Sequence, residues 1–195
     1  MKKLLLILPV VVLLLTACGS SVPEDTESNL TIRKDGSIVS DIREDFSQNY
    51  YDVNELNAMI KTEVDKYNKI SPDAISYENA TLIDNSVKLV MTFVSSDDYS
   101  SFNNERLFVG NSPDAILKGY NLDVILTDAE DPTKTIAGVD IKSMTDHTIL
   151  IVDYPGNIHL PSDALYISDN VTVSDKGRTV RKKEMSTGPL YIIYK

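Results

Sequence analysis

The part of the chain after Tyr120 is a series of short segments rich in β-branched and aromatic residues, and this grouping limits the possible folds. Turn sequences with Pro, Gly, Asn or Asp separate these segments. No helical segment alternates with them, and this favours an antiparallel sheet over a parallel one. The expected strands are 122–127, 136–141, 148–154, 165–167, 171–173, 179–181 and 190–194. We therefore expect an α+β fold with a mostly antiparallel sheet.

The preceding part of the chain supplies a hairpin and one long helix. Asp35 and Gly36 lie between alternating apolar residues, a pattern typical of a hairpin, because a type I′ turn needs positive φ at both positions. Asp52 and Glu55 have capping-box spacing, and the helix should end before Pro72. The apolar stripe of this amphipathic helix is Leu56, Met59, Ile60, Val64 and Tyr67.

The remaining elements are a second hairpin and two short helices. The hairpin is expected within 75–94, and the helices should begin near Ser95 and at Ser112, the second ending at Gly119. These helices would pack on one face of the sheet. We expect residues 30–195 to form one domain, with a possible subdivision near 131–132, since the strand-rich part alone would have a marginal core.

The N-terminus has the organisation of a secretory signal. Residues 1–3 form a short basic region with two lysines, and residues 4–15 are apolar, a run too short for a membrane-spanning helix. The sequence Leu-Thr-Ala-Cys at 15–18 resembles the lipobox of bacterial lipoproteins. That resemblance implies removal of residues 1–17 and acylation of Cys18, the single cysteine, with chains such as palmitate. The alternative is an ordinary signal peptide with a chance cysteine.

Residues 18–29 are small, polar and acidic, and we expect them to form a flexible tether behind the lipid. The protein would then be attached to the cell membrane on its extracytoplasmic face. Its membrane contact would depend on the lipid at Cys18, because no later segment is long and apolar enough to span a bilayer.

The charge distribution argues against nucleic acid as a partner. The chain has 29 acidic and 19 basic side chains, so a polyanion would meet repulsion over most of the surface. Basic residues concentrate near the C-terminus, where Arg181, Lys182 and Lys183 are candidate surface-binding residues for an anionic polymer or lipid. The alternative is an ordinary set of solvated charges at the end of a hairpin.

The sequence contains no pattern that assigns a catalytic, metal or cofactor site. His147 and His159 lack the spacing of a zinc motif, and the acidic runs at 97–98 and 128–131 do not match a calcium loop. The chain also lacks a Gly-x-Ser-x-Gly motif, a Ser-x-x-Lys motif and a glycine-rich phosphate loop. We therefore assign no catalytic residue, metal or cofactor.

Aromatic side chains are the remaining candidates for ligand binding. Tyr50 and Tyr51 precede the long helix, and Tyr99 and Phe102 lie in a short one. Exposed rings at these places could stack against sugars. The alternative is that the rings belong to the core and to a hydrophobic staple at the helix start.

Several segments together resemble a family of uncharacterised surface lipoproteins from anaerobic Gram-positive bacteria. These segments are Lys-Asp-Gly-Ser at 34–37, Glu-Asp-Phe at 44–46, Tyr-Tyr-Asp at 50–52, Glu-Leu at 55–56 and Tyr-Ile-Ile-Tyr-Lys at 191–195. The resemblance implies a lipid-anchored surface protein and no particular activity.

We expect a non-enzymatic module that binds an envelope protein or polymer. The alternative is an envelope hydrolase that cleaves wall or glycan material with a pair of carboxyl groups. A solute receptor with two α/β lobes is disfavoured by the length of the chain.

Overall fold

The structure is a computed structural model that describes residues 27–195. Within this range the chain forms 14 strands and four α-helices. The strands are β1 (Asn29–Ile32), β2 (Ile38–Asp45), β3 (Ile75–Tyr77), β4 (Thr81–Ile83), β5 (Ser86–Phe93), β6 (Leu107–Gly110), β7 (Ile125–Asp128), β8 (Thr135–Ala137), β9 (Thr148–Val152), β10 (Asn157–His159), β11 (Ala164–Ile167), β12 (Val171–Ser174), β13 (Thr179–Lys182) and β14 (Leu190–Tyr194). The helices are α1 (Val53–Asn68), α2 (Ser96–Asn103), α3 (Ser112–Leu117) and α4 (Gly138–Ser143).

The strands form two sheets, which confirms the expected α+β class with mostly antiparallel pairing. The first sheet has the order β12-β13-β10-β1-β2-β5-β3, with β4 also paired to β5. The second has the order β6-β9-β14-β11-β7-β8. The pair β1–β10 is parallel, whereas the other pairs are antiparallel. Both sheets combine strands from before and after residue 131, so neither sheet is confined to one side of 131–132.

One core cluster contains buried residues from both sheets, and we call it the shared core. The first sheet contributes Leu30, Ile38 and Phe93, and the second contributes Leu150 and Ile192, all almost completely buried. Helix α1 packs against this cluster through Leu56, Ile60, Val64 and Tyr67. Since these four belong to the expected apolar stripe, that prediction is confirmed for them. Met59 is instead exposed, because it lies at the margin of the apolar stripe.

The second sheet has a separate core on its other face. This outer core contains Phe108, Ala115, Leu122, Leu126, Ile141, Ile149, Ile151 and Ile193, and it includes residues of α3 and α4. Because the second sheet is buried on both faces, residues 149–152 of β9 are all buried. This explains why β9 is a continuous apolar run rather than an alternating one.

The start of α1 agrees with the predicted cap. The Asp52 carboxylate accepts hydrogen bonds from the backbone amides of Asn54 (2.7 Å) and Glu55 (3.4 Å). The predicted return bond from the Glu55 carboxylate is not among the hydrogen bonds of residues 27–195. Two asparagines then attach the helix to neighbouring chain: Asn57 exchanges two bonds with the backbone of Ala80, and Asn68 does the same with Ile75.

Several boundaries differ from the sequence-based expectations. The strand expected at 136–141 is instead the short strand β8 followed by α4, because Ile141 is buried in the outer core from a helix. Helix α3 is capped by Asn111 rather than by Ser112, whose hydroxyl is buried and donates to a backbone carbonyl. Strands β6 and β10 were not predicted, since each is short and lies beside turn residues.

Candidate functional site

The end of β2 places a carboxyl group and an aromatic ring on one face of the first sheet. The ladder between β2 and β5 reaches Asp45, and the Phe46 amide extends it by donating to the Asn85 carbonyl at 2.7 Å. Side chains alternate along such an extended strand, so Glu44 and Phe46 share the face of Ile42. Ile42 and Phe46 both pack against the shared core. Glu44 therefore lies at the edge of that core.

Phe46, Tyr50 and Tyr51 form a cluster that we call the aromatic surface. The rings of Phe46 and Tyr51 stack with centroids 4.8 Å apart and an interplanar angle of 29°. The rings of Tyr50 and Tyr51 meet edge to face, also at 4.8 Å. Tyr50 is 72% exposed and Tyr51 is 45% exposed. The cluster thus rests on the core at Phe46 and opens to solvent at the two tyrosines.

The other aromatic candidates have a structural role. Tyr99 is buried and meets Phe93 edge to face, with centroids 5.1 Å apart. Phe102 packs against the shared core and contacts Tyr67 in the same way at 5.7 Å. The core alternative therefore holds for Tyr99 and Phe102, whereas Tyr50 and Tyr51 are exposed.

The chain around the aromatic surface is acidic. Residues 44–60 contain four acidic side chains and no Lys or Arg. The Asp45 carboxylate accepts from both the amide and the hydroxyl of Ser47, at 3.2 and 2.9 Å. Interaction with the Tyr50 hydroxyl, together with the charge of Asp45, raises the pKa of the Tyr51 hydroxyl. The Tyr51 hydroxyl therefore keeps its proton at neutral pH, and the nearby carboxylates make the field beside it negative.

A buried tyrosine lies among three carboxyl groups. Tyr154 is 9% exposed, and its buried hydroxyl has no hydrogen-bond partner within residues 27–195. Burial, followed by the charges of Glu105, Asp41 and Glu44, raises the pKa of Tyr154. The sequence interpretation missed these residues because they come from separate segments. The one local signal was the position of Glu44, two residues after Ile42 on the same strand face.

Two of these carboxyl groups have different surroundings. Glu105 accepts a hydrogen bond from the Tyr99 hydroxyl at 2.9 Å. Neighbouring chain raises the pKa of the Glu44 carboxyl by partial desolvation, although the residue is exposed to solvent. No Lys or Arg within residues 27–195 forms an ion pair with Glu44. Glu44 is thus a partly desolvated carboxyl without a cationic partner in the described chain.

The predicted basic cluster is engaged within the molecule. Arg181 pairs with Glu27 at 2.6 Å, and Lys182 pairs with Asp153 at 2.7 Å. The ammonium group of Lys183 donates to a backbone carbonyl at 2.6 Å. These contacts compensate much of the positive charge that a polyanion or lipid headgroup would need.

The contact of Arg181 also fastens the beginning of the described chain. Glu27 accepts a second bond from the Asn157 side chain at 3.2 Å, and the Ser28 hydroxyl accepts from the Arg43 amide at 2.8 Å. A Cβ atom on Gly156 would overlap the Ser28 carbonyl oxygen, so only glycine fits beside this segment. Ordered structure therefore begins before Leu30, within the segment that was expected to be a tether.

The two histidines lie beside different sheets and do not contact each other. His147 contacts Asp146 at 2.7 Å just before β9, and His159 contacts the Thr179 hydroxyl at 3.1 Å in β10. No group of three or more His, Cys, Asp or Glu side chains in residues 27–195 has the geometry to hold a metal ion.

The acidic runs serve local structure. Asp128 accepts from the amides of Glu130 and Asp131, and Asp97 pairs with Lys118. The Asp98 carboxylate accepts a hydrogen bond from the Ser95 hydroxyl, and the Asp98 backbone amide donates to the oxygen of the same hydroxyl. These carboxylates therefore stabilise turns and helix starts.

A shallow depression of ≈ 370 Å³ lies beside β7 and the start of α4. Its lining is mainly apolar and includes the exposed side chains of Ile125 and Val139. The carboxylate of Asp123 at its rim is already paired with Lys142 at 2.6 Å. The depression lacks the converging polar groups of a small-molecule site.

Comparisons with protein-family profiles, with curated proteins and with solved structures gave no match. Within residues 27–195, none of the helices combines the length and the apolar character that crossing a membrane requires. Cys18 and the signal sequence lie outside the described residues, and their assignment stays a prediction.

Proposed function

We propose that the protein is a lipid-anchored binding module of the bacterial cell envelope. The observation that carries the binding proposal is the aromatic surface of Phe46, Tyr50 and Tyr51. Its rings are held in place from the core side, so little conformational entropy is lost when a ligand covers them. Large exposed rings of this kind are typical of sites where a partner contributes the missing contacts.

The proposed anchor is compatible with the way the described chain begins. Eight residues separate Cys18 from Glu27, which is fastened by Arg181 and Asn157. Even when fully extended, such a segment spans at most about 30 Å. A lipid on Cys18 would therefore keep the folded domain close to the membrane, where the aromatic surface can meet envelope components.

The anchor is tested by expressing the full chain in a bacterium that is fed an alkyne-labelled fatty acid. We expect the parent chain to incorporate the label and to partition into the detergent phase of a two-phase extraction. Cys18→Ser should abolish both, whereas the neighbouring control Ser20→Ala should change neither. Membrane retention of the Cys18→Ser chain would contradict the lipid assignment.

The binding role is tested by sedimenting the protein with isolated bacterial envelopes. The parent chain should co-sediment, and the double variant Tyr50→Ala/Tyr51→Ala should be retained at least about tenfold less well, a loss of about 1.4 kcal/mol. Leu117→Ala is the matched control, because Leu117 is also exposed but lies on α3. Equal retention of all three proteins would remove the aromatic surface from the proposal.

The hydrolase alternative has one observation in its favour. The charges of Glu44 and Glu105 both raise the pKa of buried Tyr154. The pKa of Glu44 is itself raised, as a general acid requires. The discriminating measurement is the release of reducing ends from wall glycan. The binding proposal expects none, whereas a hydrolase would release them and would lose this activity in Glu44→Gln and in Glu105→Gln.

A further inference from the structure

We propose that the aromatic surface binds a polysaccharide that carries free amino groups. This inference rests on the proposed function and names the ligand class of the same surface. It follows from three properties of that surface: its charge, its ring faces and its open shape.

The charge around the rings favours a cation. Residues 44–60 contain Glu44, Asp45, Asp52 and Glu55 but no Lys or Arg. The preceding cation, Arg43, is engaged by Asp41 at 3.1 Å and points to the opposite face of the strand from Glu44. An anionic polymer would meet repulsion from this acidic segment, whereas an ammonium group would be attracted by it, and the charge of Asp45 acts directly on the Tyr51 hydroxyl.

The rings themselves attract cations. The face of a tyrosine ring carries the negative part of its quadrupole, so an ammonium group over it is stabilised. Tyr50 and Tyr51 meet edge to face, which leaves two ring surfaces at a steep angle to each other. Such an arrangement, bordered by Asp45, has the elements of a partial cage for an ammonium group.

The shape of the site distinguishes a sugar chain from a basic peptide. The aromatic surface is open to solvent, since Tyr50 is 72% exposed, and each ring offers its own flat face. A pyranose ring presents a flat face of C–H groups that can cover an aromatic ring, whereas a lysine side chain has no such face. A repeating amino sugar can therefore place a ring on one tyrosine and an ammonium group beside the carboxylates.

Glu44 supplies a further contact that the free protein leaves unused. Its carboxyl lies on the same strand face as Phe46 and has no ion-pair partner within residues 27–195. An ammonium group beside it would compensate a partly desolvated negative charge. Tyr154, whose buried hydroxyl has no partner in the same range, lies in the field of this carboxyl.

The test compares two saccharides that differ only in the amino group. The full chain, solubilised in a non-ionic detergent, is titrated with glucosamine oligomers and with N-acetylglucosamine oligomers of equal length. The titration is done by calorimetry at a mildly acidic pH that keeps the amines protonated. We expect the glucosamine oligomers to bind about tenfold more tightly, with an affinity that falls as salt is added.

Variants assign the preference to the aromatic surface. Tyr50→Ala and Tyr51→Ala should each weaken binding of the glucosamine oligomers by about tenfold. Glu44→Gln and Asp45→Asn should reduce the preference for the amine form while leaving binding of the acetylated form unchanged. Leu117→Ala, on a different face, should behave as the parent does.

Three outcomes would overturn the inference. Equal or tighter binding of the acetylated oligomers would show that the amino group is not recognised. An oligolysine peptide that binds as tightly as the glucosamine oligomers would reassign the surface to basic peptides. Unchanged binding in both tyrosine variants would place the ligand elsewhere. If isolated envelopes still retain the parent chain better than the Tyr50→Ala/Tyr51→Ala variant, this inference fails alone. If envelopes retain the two proteins equally, the proposed function fails as well.

Discussion

The aromatic surface and the basic cluster are two surface features that differ in how the rest of the chain engages them. Tyr50 and Tyr51 contact each other and Phe46 and remain exposed. Arg181 and Lys182 are both paired with carboxylates of their own chain. In this chain two of the three basic side chains are therefore neutralised within the molecule, whereas the two tyrosine rings stay accessible.

The reason lies in the overall charge. Acidic side chains outnumber basic ones by 29 to 19, so a basic group often has a carboxylate nearby, as Arg181 and Lys182 do. An exposed aromatic ring is different, because the apolar side chains it could pack against are already buried in the core. The following predictions test this contrast in decreasing order of expected effect.

Phe46→Ala should give the largest loss of stability at the aromatic surface. Phe46 packs against the shared core and stacks on Tyr51, so its removal should cost about 2 kcal/mol, somewhat less than for a fully buried phenylalanine. Thermal unfolding should then occur about 6 °C lower. Tyr50→Ala should lower stability by less than about 0.5 kcal/mol, because Tyr50 is mostly exposed. Similar losses in both variants would mean that Tyr50 is part of the core.

Lys182→Ala should destabilise the protein by about 1 kcal/mol, the upper end of the range for surface ion pairs. Its side chain is only 18% exposed and is paired with Asp153. A double-mutant cycle with Asp153→Ala, measured by denaturant unfolding, should show a coupling of about 0.5–1 kcal/mol. Lys61→Ala, which breaks an exposed helical pair with Asp65, is the control and should have no measurable effect. Zero coupling would show that the ion pair between Lys182 and Asp153 does not stabilise the fold.

Arg181→Ala should loosen the beginning of the domain more than its core. Loss of the pair with Glu27 should cost about 0.5 kcal/mol overall. Hydrogen exchange at the amides of Ser28 and Asn29 should accelerate, while exchange in β14 stays slow. Arg178→Ala, which breaks the pair with Asp163, is the matched control and should leave exchange at 28–29 unchanged. Unchanged exchange in Arg181→Ala would show that Arg181 does not fasten the chain start.

Glu44→Gln should produce a small effect whose sign depends on pH. Burial raises the pKa of Glu44 in the folded protein above its ordinary value of 4.5, so the folded state binds this proton more tightly than the unfolded chain. The parent protein therefore loses stability as the pH rises from about 4.5 through the raised pKa. The glutamine variant, which cannot ionise, should be slightly more stable at neutral pH. Thermal unfolding should show this difference in stability at neutral pH and no difference below pH 4.5. A parent protein that is more stable than the variant at neutral pH would indicate that the charge of Glu44 stabilises the fold.

The elements predicted best from the sequence are those with strong local signals. The hairpin at Asp35-Gly36, the cap at Asp52 and most apolar positions of α1 each follow from rules that act within a few residues. The type I′ turn expected in that hairpin is wrong, because Gly36 has a positive φ and Asp35 does not. Segment 136–141 was assigned wrongly because a short apolar segment fits a strand or a helix equally well. Its conformation depends on the outer core, which requires Ile141 to reach the second sheet from a helix.

The candidate site was predicted only in part. Tyr50 and Tyr51 were identified from their residue type, but the same reasoning applied equally to Tyr99 and Phe102, which are core residues. No local pattern could connect Glu44 with Glu105 and Tyr154, since they come from separate segments. The packing of two sheets brings them together, and sequence spacing does not encode that packing.

Sequence alone determined the α+β class, the start of the long helix and the acidic character of the chain, because strand propensity, capping and charge are local or additive properties. The tertiary structure alone decided that the strands divide into two sheets, that the basic cluster is compensated and that two tyrosines stay exposed. These features depend on which surfaces meet when the cores close. Burial and ion pairing depend on contacts between segments that are distant in the sequence, so they are established only when the chain folds.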